Sequence, residues 1–191
     1  METTTQLHIK NMVCPRCLQA VENILTQHGL IVKSIELGKA EVLSPEAAID
    51  IGGIDTALQK NGFELLMDRD QKLVERIKNA LLNYLYQLEE EEAVSNVSDY
   101  LSQKLNAGYS HLSKLFSQYE QITIEKYLIH LKIERVKELL SYNELTLSEI
   151  AYRLQYSSPQ HLSGQFKKIT GMTVSEYKAQ PFAHRHSLDA L

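Results

Sequence analysis

The sequence predicts an α+β chain in two parts: a strand–helix–strand–strand–helix–strand N-terminal third, then an all-helical remainder. Three observations carry this. Short alternating segments bracket two helical patterns before residue 68. From Leu73 onward, apolar residues recur every three or four positions with no strand signal. Between them, Asp68-Arg69-Asp70-Gln71 is a charged junction. A chain of 191 residues suits one or two domains. The expected division is 1–68, 69–178 and a flexible tail 179–191.

Leu7-His8-Ile9-Lys10 alternates apolar and polar, the mark of a half-buried strand. Asn11-Met12-Val13-Cys14-Pro15-Arg16-Cys17 interrupts it. Leu18, Val21, Ile24 and Leu25 follow at helical spacing and end at His28-Gly29, where glycine can close a helix. Ile31 to Leu37 is a second strand, with Ile31, Lys33, Ile35 and Leu37 set against Val32, Ser34 and Glu36. Gly38-Lys39 turns into a third, Ala40 to Leu43, which makes the pair a hairpin. After Ser44-Pro45-Glu46, Ile54, Ala57 and Leu58 mark a helix ending at Asn61-Gly62, and Phe63 to Met67 is a fourth strand. The order βαββαβ is that of a ferredoxin-like sandwich.

This third resembles the heavy-metal-associated domain of copper chaperones and metal-transporting ATPases. The residues carrying the likeness are Met12-x-Cys14-x-x-Cys17 and Asn61-Gly62-Phe63-Glu64. Cys14 and Cys17 are the chain's two cysteines, too few for a disulfide scaffold. Two thiolates three residues apart at a helix start can share one soft ion, and the helix N-terminus favours the thiolate. Two sulfurs suit Cu(I), whereas Zn(II) wants four ligands. The resemblance implies that Met12 packs inward, that Phe63 lies under the metal loop, and that a copper chaperone is a candidate donor. Free thiols and a redox pair are the competing readings of Cys14 and Cys17. His8 and His28 are expected at the surface.

Leu73, Ile77, Ala80, Leu81, Tyr84, Leu85 and Leu88 form the stripe of a long amphipathic helix. The stripe can pack as the first helix of the next domain or form a short coiled coil, which keeps a homodimer open. The acidic run Glu89 to Glu92 reads as a solvated helix end facing away from phosphate.

Val97, Tyr100, Leu101 and Leu105, then Leu112, Leu115 and Phe116, make a helix–turn–helix pattern with its turn at Asn106-Ala107-Gly108. A long helix, Thr123 to Leu140, follows. Leu147, Ile150, Ala151 and Leu154 then fall at i, i+3, i+4 and i+7. Thr146 or Ser148 can cap that helix, with Glu149 in its first turn. Gln155-Tyr156-Ser157 breaks the pattern, and Ser158-Pro159 restarts it, because proline at the first helical position loses no needed N–H. The next helix buries Leu162, Phe166 and Ile169 and presents small, polar or basic residues on its other face. A helix lying in a major groove has that composition.

The C-terminal stretch resembles the AraC family of transcription regulators over roughly its last 110 residues. The likeness lies in Ile133 to Leu140, Ile150-Ala151, Phe166-Lys167-Lys168, Thr170-Gly171 and Val174-Ser175-Glu176-Tyr177. Gln155 stands where that family usually has glycine, Leu162 where it has phenylalanine and Val174 where it has proline. The resemblance implies two recognition helices in successive major grooves, about 34 Å apart. By matching positions, the DNA-contacting residues are Tyr109, Ser110, Ser113 and Lys114 in the first unit. In the second they are Pro159, Gln160, His161, Ser163 and Gly164, with Lys167 and Lys168 near phosphate. Gln160 can pair bidentately with adenine.

Residues 71–178 carry 13 Lys/Arg and 13 Asp/Glu, so no broad basic field exists and DNA affinity should be modest and salt-sensitive. No apolar run approaches the roughly 18 residues of a membrane span, and the chain is read as cytoplasmic. No nucleophile–base constellation stands out, so no enzyme activity is expected. The expected function is a DNA-binding transcription regulator responsive to a soft metal ion. The alternatives are a metal-trafficking or buffering protein, or a thiol redox sensor, whose helical half is an interaction module.

Overall fold

The structure is a computed structural model that describes residues 4–44, 49–90 and 95–179. Pro45-Glu46, Glu91-Glu92 of the acidic run and the tail from Gln180 lie outside these residues. The chain divides into two compact units, Met1–Asn79 and Ala80–Leu191.

In the first unit, β1 (Thr4–Lys10), α1 (Pro15–Gln27), β2 (Ile31–Glu36), β3 (Lys39–Leu43), α2 (Ile51–Lys60) and β4 (Glu64–Leu66) appear in the expected order. The strands form one antiparallel sheet ordered β2-β3-β1-β4. Leu7, Ile9, Ala40, Val42 and Leu65 point from the sheet into a core shared with Val21, Ile24 and Leu25 of α1 and Ile54 and Leu58 of α2. Each of the Leu, Ile and Val side chains contributes about 1.5–3 kcal/mol on full burial, which makes this core the main stabilising element of the unit.

The second strand departs from simple alternation. A bulge between Val32 and Ser34 shifts its register, so Val32, Ile35 and Leu37 all pack on the core. Ile31, which the alternation places with Ile35 and Leu37, is left 55% exposed. An extra residue in one strand reverses the face of everything beyond it. The hairpin turn is Leu37-Gly38 rather than Gly38-Lys39, and Gly38 takes a positive φ of 85°.

Helix α3 (Arg69–Glu89) begins at the charged junction, where the Asp68 carboxylate accepts from the N–H groups of Asp70 and Gln71. Its buried residues exceed the predicted stripe. Val74, Glu75, Asn79 and Leu82 are buried as well, whereas Leu73 is only half-buried. The stripe is therefore covered within the chain. The division between units also falls inside α3 rather than at residue 68. The reason is a polar face: Lys72, Glu75, Arg76 and Asn79 sit at i, i+3, i+4 and i+7. Glu75 bonds the Asn11 N–H, and the Asn79 carboxamide lies over Gly38.

In the second unit, α4 (Val97–Leu105), α5 (Tyr109–Glu120), α6 (Ile124–Tyr142), α7 (Leu147–Arg153), α8 (Pro159–Thr170) and α9 (Val174–Ala179) follow. Side chains cap helix starts at Ser158 of α8 as predicted, with Pro159 next, and at Asn96 of α4 and Thr123 of α6 besides. Of the two candidates for α7, Thr146 is the cap, and it forms a reciprocal box with Glu149. Fully buried Leu101, Leu112, Phe116, Ile124, Leu131, Ile133, Val136, Ile150, Leu162, Phe166 and Tyr177 build the core around α6. Among the described residues no helix is long and apolar enough to cross a membrane.

Candidate nucleic-acid interface and cysteine loop

Two helix–turn–helix units, α4–α5 and α7–α8, flank α6. With 19 residues α6 is about 28 Å long, close to one turn of duplex. In the first unit the αL residue Asn106 ends α4 and Gly108 starts α5. Leu112, Leu115 and Phe116 turn inward, and Phe116 meets Tyr127 of α6 edge-on with ring centroids 5.3 Å apart. The opposite face of α5 carries exposed Ser110 and Lys114 and half-buried Ser113. Tyr109 differs from these. It is half-buried, and its hydroxyl donates to Glu125 Oε1 at 2.5 Å. Burial, the bond to Glu125 and that carboxylate's charge all push its hydroxyl pKa up. Tyr109 thus braces α5 against the first turn of α6, which engages the group it would offer to DNA.

In the second unit Leu154 closes α7, and Gln155 adopts φ 52° to make the turn. Leu162 and Phe166 of α8 face inward, with Phe166 edge-on to Tyr177 of α9 at 5.4 Å. The outward face presents exposed Gln160, His161, Gly164, Lys167 and Lys168, with Pro159 and Ser163 half-buried. His161 is oriented from three sides. Its backbone N–H donates to Ser158 Oγ, its Nδ1 lies 3.0 Å from Ser157 Oγ, and its ring meets Tyr156 edge-on. That leaves Nε2 as the ring nitrogen that Ser157 does not engage.

Three supporting residues escaped the sequence. Lys132 of α6 donates to the Leu154 carbonyl at 2.9 Å, satisfying the end of α7, and lies over the Tyr156 ring. Burial pushes its pKa down to about 8. Arg135 forms a fork on both Glu89 oxygens and a third bond to Glu138, each at 2.7 Å. Lys137 and Glu134 pair at 2.6 Å with side chains 6% and 9% exposed. The spacing of Glu134/Lys137 and Arg135/Glu138 was a readable signal. Nothing local marks Lys132, whose partner is 22 positions away.

The cysteine loop is built as two sulfurs at a helix start. Cys14 is the N-cap of α1 with extended backbone, and Pro15 opens the helix. The Cys17 N–H donates to the Cys14 carbonyl at 3.0 Å, and the two Sγ atoms are 3.3 Å apart. Both thiols are half-buried and reduced. For Cys14, burial raises the pKa, but the Cys17 thiol, the Cys17 and Arg16 N–H groups and the Arg16 charge together bring it below the usual value. Burial and the neighbouring Cys14 raise Cys17. The pair therefore holds one thiolate and one thiol first as pH rises.

Metal–sulfur bonds of about 2.3 Å, the length zinc makes with cysteine, reach both sulfurs from one point. Among the described residues no set of three His, Cys, Asp or Glu converges that could hold an ion. Met12 is fully buried, and Phe63 is 8% exposed in the same core. His8 departs from expectation: it is half-buried, and burial, then the charges of Lys72, Arg76 and Lys39, lower its pKa.

Comparison with known proteins places the helical half. Residues 101–180 match the protein family described as "Helix-turn-helix domain". The F1 operon positive regulatory protein of Yersinia pestis is 32% identical over 108 residues, 56% of this chain and 36% of that protein. The HTH-type transcriptional activator RhaS of Escherichia coli is 27% identical over 107 residues, 54% of this chain and 38% of that protein. The C-terminal domain of AraT, a response regulator from Geobacillus stearothermophilus, matches with a TM-score of 0.50 and 24% identity. That match covers 63% of this chain and 92% of the solved one, and it supports the fold. The chain thus spans little more than a third of the length of these two curated relatives.

Proposed function

We propose that this chain, whose residues 101–180 match a helix-turn-helix domain, is a DNA-binding transcription regulator of the AraC type, not an enzyme. The carrying observation is the pair of outward polar faces, Ser110/Ser113/Lys114 on α5 and Gln160/His161/Gly164/Lys167 on α8, mounted at the two ends of one helix. A single chain so built reads two major-groove segments on one side of a duplex. Phosphate contact falls to Lys114, Lys167 and Lys168, and base reading to Gln160 and His161.

The N-terminal unit is proposed as a ferredoxin-like, heavy-metal-associated module that binds a soft ion, Cu(I) first, through Cys14 and Cys17. The support is chemical: two sulfurs 3.3 Å apart at a helix N-terminus, with Met12 and Phe63 buried in the core against which Cys17 packs. Two soft donors without harder ligands favour Cu(I) over Zn(II). When bound, the ion supplies a charge change at the loop. The protein's part is to hold both sulfurs on one helix turn and to exclude further ligands.

The test is selection from a randomised duplex pool. Fluorescence anisotropy on the selected site follows, with and without Cu(I) under reducing conditions. Wild type should bind a bipartite site with an affinity that shifts on Cu(I) addition, and Cys14→Ser/Cys17→Ser should bind without the shift. An unselective pool, or equal binding by Lys114→Ala, Gln160→Ala and wild type, would overturn the DNA reading. A Cys14–Cys17 disulfide forming in place of a bound ion would favour the redox sensor.

A further inference from the structure

We propose that Glu75 is a positioning residue for the cysteine loop and carries the state of that loop into α3. The proposal rests on the soft-metal reading of Cys14 and Cys17. The pivot is Asn11, three residues before Cys14. It adopts left-handed backbone, φ 69°, without being glycine, a conformation that asparagine tolerates better than most residues. It is held from two sides. Its Nδ2 donates to the Gly62 carbonyl at 2.9 Å, and its backbone N–H donates to Glu75 Oε1 at 3.2 Å. The next residue, Met12, is fully buried. The loop therefore leaves β1 through one clamped peptide.

Glu75 is only 6% exposed. A buried carboxylate is costly unless it is bonded, so its place on the polar face of α3 marks a polar contact that the fold retains. The same helix face keys onto the sheet elsewhere. The Lys72 and Arg76 charges act on His8 of β1, and Asn79 Nδ2 stands where a side chain on Gly38 would be. Glu75 engages the segment that leads into the cysteines. Seating an ion between Cys14 and Cys17 respaces two sulfurs now 3.3 Å apart and adds charge at the α1 N-terminus. Pro15 stiffens the C-terminal side of Cys14, because its ring locks φ. The backbone adjustment therefore falls on Asn11 to Val13. A turn of the Asn11 peptide redirects the N–H that Glu75 accepts. Helix α3 runs uninterrupted from there to Glu89.

The experiment uses the full chain, with Cu(I) supplied anaerobically against a competing chelator. Hydrogen exchange is followed in the peptides spanning residues 8–18 and 72–79. Wild type should change protection in both peptides on Cu(I) addition. Glu75→Ala should bind Cu(I) more weakly than wild type and, at saturating Cu(I), keep the loop response but lose the response in 72–79. Glu75→Gln should restore it, because its carboxamide oxygen still accepts the Asn11 N–H. In unmutated protein, the Asn11 amide resonance and the Glu75 carboxyl 13C resonance should shift together on Cu(I) addition, which tests the contact even if Glu75→Ala fails to fold. A full 72–79 response in Glu75→Ala, failure of Glu75→Gln to restore the response, or a Glu75 resonance that stays put would overturn the proposal and leave the metal reading standing. A wild type that binds no Cu(I) overturns both.

Discussion

Replacing Arg135 by methionine tests how the second unit is braced. The guanidinium makes three bonds of 2.7 Å, two to Glu89 and one to Glu138. The side chains of Arg135, Glu89 and Glu138 are 23%, 10% and 26% exposed. Removing one member of a buried pair costs about 3–5 kcal/mol, because the other charge is left uncompensated. Partial exposure of Arg135 and Glu138 lowers this to about 2–3 kcal/mol. The stranded Glu89 also ends α3, where a negative charge meets the negative end of the helix dipole.

Arg135→Met should therefore lower the melting temperature of the helical unit by about 10 °C, followed by far-ultraviolet circular dichroism. Glu89→Gln, which keeps Glu138 as partner, should cost less, about 1 kcal/mol. The double variant Glu89→Met/Arg135→Met should be more stable than Arg135→Met alone, because the more buried of the two stranded carboxylates is gone. Coupling in that cycle should exceed about 1 kcal/mol. If Arg135→Met stays within about 0.5 kcal/mol of wild type, as surface substitutions do, or the two changes simply add, the cluster is a solvated surface pair and the reasoning fails.

Lys132, with its pKa pushed down to about 8, binds its proton less tightly folded than unfolded. The charged form therefore destabilises the fold below pH 8, and stability from this group rises as pH climbs from 8 towards 10.5. The gain is at most about 3 kcal/mol, because the Leu154 carbonyl and the Tyr156 ring already favour the ammonium. The difference between wild-type and Lys132→Met denaturation midpoints, followed across that range, should show the gain in wild type only. Gln155→Gly should stabilise the second turn by about 0.5–1 kcal/mol, since φ 52° strains any side chain there; no rise in melting temperature would mean that the turn is not strained. Lys167→Ala should weaken binding to all duplex sequences alike and reduce the salt slope by about 0.9. A sequence-selective loss would instead place Lys167 on a base.

Much of this molecule is legible from local chemistry. The caps Asn96, Thr123, Thr146 and Ser158 bond N–H groups three residues ahead, so their partners are inside any short window of sequence. Apolar spacing placed α4, α5, α7 and α8, because a helix carries its own backbone bonds and needs only one face covered, whereas α9 was not read as a helix. The paired cysteines at a helix start are equally local.

What the sequence did not disclose depends on residues far apart in the chain. The β2 bulge turns Ile31 outward because pairing with β3, not alternation within β2, sets its register. Tyr109 is drawn to Glu125, Lys132 to Leu154 and Glu75 to Asn11 across separations of 16, 22 and 64 residues. Each is a polar or charged side chain whose burial has to be matched by a bond, and its partner exists only once the chain has folded. Composition and periodicity thus determined most of the elements, their order and the outward face of α8. Tertiary structure alone decided which polar groups are spent bracing α5 and α8 and which remain for a ligand.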